Sequence, residues 1–95
     1  MLNNVALVGR ISKIEKLEDK KINLTIATPR TFKNASGEYE TDLIKIVVLK
    51  NISSTIDEYC ECGDIVGVKG RIQGNGEEIQ IIAERVTFLQ QKKND

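Results

Sequence analysis

The stretch Thr41–Lys50 (TDLIKIVVLK) runs directly into Asn51–Cys62 (NISSTIDEYCEC) and then, after Gly63, into 64–74 (DIVGVKGRIQG). The first segment is the most apolar of the chain and reads as a central strand with both faces at least partly buried, except at Lys45. The second changes period. Ile52, Ile56, Tyr59 and Cys60 recur at i, i+4, i+7 and i+8, which is one face of a helix of about three turns. Asn51 is the expected N-cap, and Gly63 stands where a left-handed residue would end the helix. The third segment alternates: Val66, Val68 and Ile72 point one way, Lys69, Arg71 and Gln73 the other. Strand, helix, strand is therefore the local order.

Working outward, 5–14 (VALVGRISKI) is β-branched and reads as a strand, with Gly9 marking a bulge or bend. Glu18-Asp19-Lys20-Lys21 is a polar turn. Ile22, Leu24 and Ile26 then alternate with polar or small residues, and Pro29 is expected to end that strand. Residues 30–40 (RTFKNASGEYE) form a polar loop or hairpin end, with turn chemistry at Asn34–Gly37. Beyond the tight-turn signal Gly74-Asn75-Gly76, residues 78–89 (EIQIIAERVTFL) make the last strand, with a slip in alternation that predicts a bulge near Ala83. Three strands, a helix and two strands, joined by short turns, predict an all-β fold. Specifically, they predict a five-stranded OB-fold Greek-key barrel with one helix between strands 3 and 4, spanning residues 1–90, followed by a short polar tail at 91–95. An SH3-like barrel does not explain the helix.

Composition narrows the function. Ninety-five residues suffice for one domain with a modest core. No apolar run approaches a membrane span, and the N-terminus lacks a signal-peptide pattern, so a cytoplasmic protein with no membrane partner is expected. There is no histidine, and Cys60 and Cys62 have no other cysteine to join them. A histidine-based triad is excluded on this basis, a four-ligand zinc site would need carboxylates or another chain, and two reduced thiols are the expectation. With no nucleophile–base pair, phosphate-cradling loop or carboxylate cluster, neither an enzyme nor a bound metal or cofactor is expected. Lys+Arg and Asp+Glu are 14 each, and aromatics are 4%. Basic residues gather at Arg30–Lys33 and Lys69–Arg71, acidic ones at Asp57–Asp64, so a neutral chain can still carry a basic groove.

Several segments resemble bacterial single-stranded-DNA-binding proteins. Met1–Ile11 (MLNNVALVGRI) is similar to their opening M-L-N-x-V-x-L-x-G-R-L. Phe32, Asn34, Gly37-Glu38 and Asp42–Val48 resemble their second-to-third-strand hairpin, and Tyr59-x-x-x-Gly63 the end of their helix. Val66–Ile72 (VGVKGRI) resembles their V-x-V-x-G-R-L strand, and Ala83-Glu84-x-Val86 with Phe88-Leu89 their last. The chain departs from that pattern at Leu43 and Leu49, where the family usually carries aromatics, and in a shorter last hairpin. The family's glycine- or proline-rich linker and acidic tip have no counterpart among these residues, which end at Lys92-Lys93-Asn94-Asp95. The usual tail-mediated recruitment of replication and repair proteins is accordingly not expected of them.

The resemblance implies sequence-tolerant binding of single-stranded DNA in replication, recombination or repair, and a homo-tetramer or dimer assembled through the first strands. It also implies that Phe32 stacks on a base. Arg10, Arg30, Lys33, Lys45, Lys69 and Arg71 are the expected phosphate contacts and Tyr39 a second stacking candidate. Phe88 and Tyr59 are expected in the core. A second reading, an OB-fold protein-interaction module of the primosomal kind with weak DNA binding, draws on the leucines at 43 and 49.

Overall fold

A computed structural model describes residues 1–91. Its strands are β1 (Val5–Lys16), β2 (Ile22–Lys33), β3 (Tyr39–Val48), β4 (Ile65–Asn75) and β5 (Glu78–Gln90), with helix α1 (Lys50–Tyr59) between β3 and β4. The strands close a barrel in the order β1-β2-β3-β5-β4. All pairings are antiparallel except β3 with β5, which run parallel over three residue pairs, Ile46–Ile81, Val47–Ile82 and Val48–Ala83. This is the expected OB-fold arrangement.

Alternation builds the core. Ile22, Leu24 and Ile26 of β2 and Ile46 and Val48 of β3 are buried, as are Val66 and Val68 of β4. β1 and β5 each carry a register shift that lets two residues three apart face inward. In β1 the shift between Ile11 and Lys13 brings both Ile11 and Ile14 onto the core; in β5 the shift opposite Lys69/Gly70 does so for Ala83 and Val86. The bulge thus lies beside Ala83, as the slip in alternation indicates, and the bulge of β1 falls after Gly9. Gly9 itself is a close approach: a Cβ there would stand 2.5 Å from the Ala27 carbonyl oxygen and 2.6 Å from Ile26 Cγ2. The helix closes one barrel end with Ile56, while the buried Ser53 hydroxyl donates to the Lys20 carbonyl of the β1–β2 turn.

Several details differ from the sequence reading. The helix begins at Lys50, with Leu49 as N-cap and no side-chain capping bond, so Asn51 lies inside it. It ends at Tyr59. Gly63, at φ +100°, instead shapes the turn into β4, where its N–H donates to the Ile11 carbonyl. Pro29 lies within β2, past the point where β1 pairing stops at Arg10–Ala27, so its missing donor faces no β1 neighbour. β3 buries one face; Leu43 on the other is 66% exposed. Tyr59 and Phe88 are not core residues, at 69% and 47% exposed. Phe88 sits opposite Val66, beyond the last β3–β5 pair at Ala83, so no further strand covers it. Ile72 is exposed for a related reason, because the β4–β5 hairpin outruns the barrel.

Candidate nucleic-acid interface

β2 and β3 continue past their barrel neighbours as a two-stranded arm ending at Asn34–Glu38. Such a ribbon is marginal without support, and polar groups staple it. The Asn34 side chain accepts from the N–H groups of Ser36 and Glu38 at 2.9 and 3.0 Å, while the Asn34 N–H donates to the Glu38 carbonyl. Gly37 adopts φ +79° at the tip. Phe32 and Tyr39 stand on this arm, 65% and 59% exposed. The ammonium of Lys33, cross-strand partner of Tyr39, lies 5.8 Å from the tyrosine ring centroid. Adjacent strand residues alternate faces, so Phe32 and Lys33 address opposite sides of the ribbon.

The outer face of the barrel continues from the Lys33–Tyr39 side. Arg10, Ala27 and Leu43 lie in one cross-strand row, and Thr25 and Lys45 in the next. Lys45 has no ion-pair partner among the described residues. Arg10 is tied by a 2.6 Å bond from its guanidinium to the Gly63 carbonyl, which fixes the side chain without neutralising its charge. A third row, Asn23, Val47, Ile82 and Arg71, floors an open groove of about 360 Å³ across β2, β3, β5 and β4. Ile82 is 5% exposed there yet stands outside the core cluster. Arg71 reaches Glu84 at 3.6 Å and Gln73 at 3.3 Å.

Two expected contacts are placed differently. Arg30 is engaged: its guanidinium bonds Asp42 at 2.9 Å and Glu40 at 2.7 Å, and Asn34 donates to Glu40 as well. The hydrogen bond from Arg30 holds the Asp42 carboxyl below the usual carboxylate range, and the same bond pushes the Arg30 guanidinium up. Arg30 is thus an internal clamp of the arm rather than a free cation. Lys69 shares the outward face of β4 with Arg71, two residues on, but sits between Ala6 of β1 and Arg85 of β5, towards the exposed Val8 and Leu89. Arg85, missed in the sequence, stands directly opposite Lys69. Like charges directly opposite each other destabilise a sheet, and that pairing needs the bulge register to be known.

Also missed were Lys16, Lys20, Lys21 and Lys50, which crowd the β1–β2 turn and the start of α1. Three of them flank the turn in sequence; Lys50 joins them only through the fold. Among the described residues no group of histidine, cysteine or carboxylate side chains could hold a metal ion, and no helix is long and apolar enough to cross a membrane.

Comparison with known proteins converges on this geometry. Residues 2–89 match the model of the single-strand binding protein family. The chain is 33% identical to single-stranded DNA-binding protein 1 of Staphylococcus aureus, across all of this chain and 70% of that protein. It is 36% identical to single-stranded DNA-binding protein 3 of Listeria innocua, across 99% and 68%. Among solved structures, a Plasmodium falciparum single-stranded-DNA-binding protein in complex with single-stranded DNA superimposes with TM-score 0.69 at 28% identity, covering 94% of this chain and 96% of that one. The mitochondrial protein Rim1 of S. cerevisiae shares the fold at TM-score 0.78 and 19% identity, covering 98% and 100%.

Proposed function

Because the chain belongs to the single-strand binding protein family, we propose that it binds single-stranded DNA without strong sequence preference, as a non-enzymatic protein serving replication, recombination or repair in the cytoplasm. The carrying observation is the exposed aromatic arm continuous with a cationic outer face. Tyr39 offers a π-face on the side of the arm that continues into the outer face, where Arg10, Lys33, Lys45 and Arg71 offer charge, and Phe32 offers a second π-face on the opposite side of the ribbon. Residues 1–90 act as one binding unit; the proposed tail at 91–95 lies, from 92 onward, outside the described residues. The primosomal-type reading is not favoured, since the relatives are named for single-stranded DNA binding.

Self-association into a dimer or tetramer belongs to the same proposal. Val8 and Leu89 are 60% and 51% exposed, and both approach Gly67, whose missing side chain leaves that outer strip flat. A flat apolar strip beside the first strand suits a second copy. Titration of a fluorescent dT oligomer at two salt concentrations tests the function. Binding that weakens steeply with salt is expected, and no binding at low salt overturns it.

A further inference from the structure

Cys60 and Cys62 are reactive side chains that the DNA-binding reading leaves unused. The helix face drawn from the sequence runs through Cys60, but α1 stops at Tyr59 and both thiols lie beyond it. Cys60 is extended, at φ −114° and ψ 141°, and half-buried, whereas Cys62 is exposed. Residues two apart in a chain stand at most about 7 Å apart at Cα, the outer limit that a disulfide spans. A bend at Glu61 brings the pair within bonding reach.

The backbone between the two thiols is already engaged. Glu61, Cys62, Gly63 and Asp64 form a turn closed by the Asp64 N–H on the Glu61 carbonyl at 3.1 Å. Gly63, at φ +100°, holds the third position, where a type II turn needs a left-handed residue. The Glu61 N–H donates to the Asp64 carboxylate at 2.9 Å, and Asp64 is buried. A Cys60–Cys62 bond would close a short ring containing both peptide groups of Glu61, so closing the ring and keeping the turn compete for the same backbone. The turn in turn ties the end of α1 to β1. The Gly63 N–H donates to the Ile11 carbonyl and the Ile11 N–H to the Asp64 carbonyl, each at 2.8 Å. The Arg10 guanidinium donates to the Gly63 carbonyl at 2.6 Å. The bond that fixes Arg10 on the outer face therefore ends on the residue next to Cys62.

We propose that Cys60 and Cys62 are a redox-active dithiol: a peroxide closes them into a reversible intrachain disulfide, which unties Arg10 from Gly63 and lowers the affinity for single-stranded DNA. The effect on affinity rests on the DNA-binding reading of the previous section; the disulfide does not. Burial pushes the Cys60 thiol up, which leaves the first attack to Cys62. The Cys62 sulfur attacks a peroxide oxygen, the O–O bond breaks, and a sulfenic acid and one water result, the water taking the thiol proton. The Cys60 sulfur then attacks the Cys62 sulfur. The S–S bond forms, the S–O bond breaks, and the hydroxyl leaves with the Cys60 proton as a second water. The peroxide gains two electrons, one from each sulfur. Cellular thiols reverse the bond, as with the transient, redox-sensing disulfides of reducing compartments.

The test treats the reduced protein with stoichiometric hydrogen peroxide and reads it two ways. Mass spectrometry of the peptide that spans both cysteines should show the loss of two hydrogens. Dithiothreitol should restore them, while leaving any sulfoxide at Met1, the single methionine, in place. Titration with a dT oligomer should show the oxidised form binding about two- to tenfold more weakly, the cost of ordering one released side chain on binding. The salt slope should stay unchanged, because Arg10 keeps its charge. Cys62→Ala, at an exposed position, should bind alike before and after peroxide. Arg10→Gln should form the disulfide and yet bind alike in both redox forms. A sulfinic acid, or a disulfide between two chains, in place of the intrachain bond overturns the dithiol. Oxidised protein that binds as the reduced protein does, or a redox effect that persists in Arg10→Gln, overturns the tether. Failure of the reduced wild-type chain to bind at low salt overturns instead the DNA-binding reading, while the mass result still decides the dithiol.

Discussion

Arg30 illustrates how a charge can be present and yet spoken for. Its guanidinium is shared between Asp42 and Glu40 across the arm, so Arg30→Ala should change DNA affinity little. Phe32→Ala should weaken it by about one to two orders of magnitude, the worth of roughly 1–3 kcal/mol for one stacked base; fluorescence titration separates the two. The clamp also has a pH signature. The Asp42 carboxyl is held below its ordinary range by Arg30, so its contribution is complete above about pH 4 and is lost only as the pH falls through the lowered value. An NMR titration should place the Asp42 midpoint below that of a free aspartate and return it to the ordinary range in Arg30→Ala. The cysteines separate as well. Burial, aided by Asp64, pushes the Cys60 thiol up, whereas Cys62 is exposed. A thiol reagent near pH 8 should therefore modify Cys62 well before Cys60.

At the scale of elements, glycine positions give the sharpest expectations. A Cβ on Gly70 would run into the Ile82 carbonyl of β5, in the register beside the bulge, whereas one on Gly74 meets open space. Gly70→Ala should cost about 1–3 kcal/mol as an overpacked contact, and Gly74→Ala close to nothing; chemical denaturation of both measures the difference. The elements themselves were largely legible, because period-two alternation survives wherever one face is buried, as in Ile22-Leu24-Ile26 and Val66-Val68. Their ends were not. Tyr59 and Phe88 keep the spacing of core residues, yet stand where the barrel has run out of neighbours. Spacing reports which face a residue shares, not whether anything lies opposite. The Arg30 clamp had a readable trace, carboxylates at 40 and 42 across a hairpin turn. The gathering of lysines beside the β1–β2 turn did not, since Lys20 and Lys50 meet only once the helix has folded back over the turn.

For the whole molecule, neutrality on paper hides an uneven surface. The formal net charge is zero, yet Lys45, Lys21, Lys20 and Lys50 lack ion-pair partners among the described residues, while Arg30 and Lys16 are matched by carboxylates. Affinity should therefore follow the number of unmatched cations along the path rather than the net charge. The log–log salt slope for a long oligomer should drop in Lys45→Gln by roughly 0.7, the single-strand value per phosphate, and stay near the wild-type value in Lys13→Gln, whose lysine already pairs with Glu15 at 3.6 Å.

The parallel contact between β3 and β5 spans three residue pairs, the shortest seam in the closed sheet. With so few pairs to hold it, this seam is expected to be the first to part in the native state. The groove floored by Val47 and Ile82 lies directly across it. A strand of DNA laid there would act as a suture. Amide hydrogen exchange at Val47 and Ile82, fast for a barrel interior in the free protein, should slow on binding more than exchange in the long β4–β5 ladder. Occupancy of the outer face would then be written into the breathing of the barrel itself.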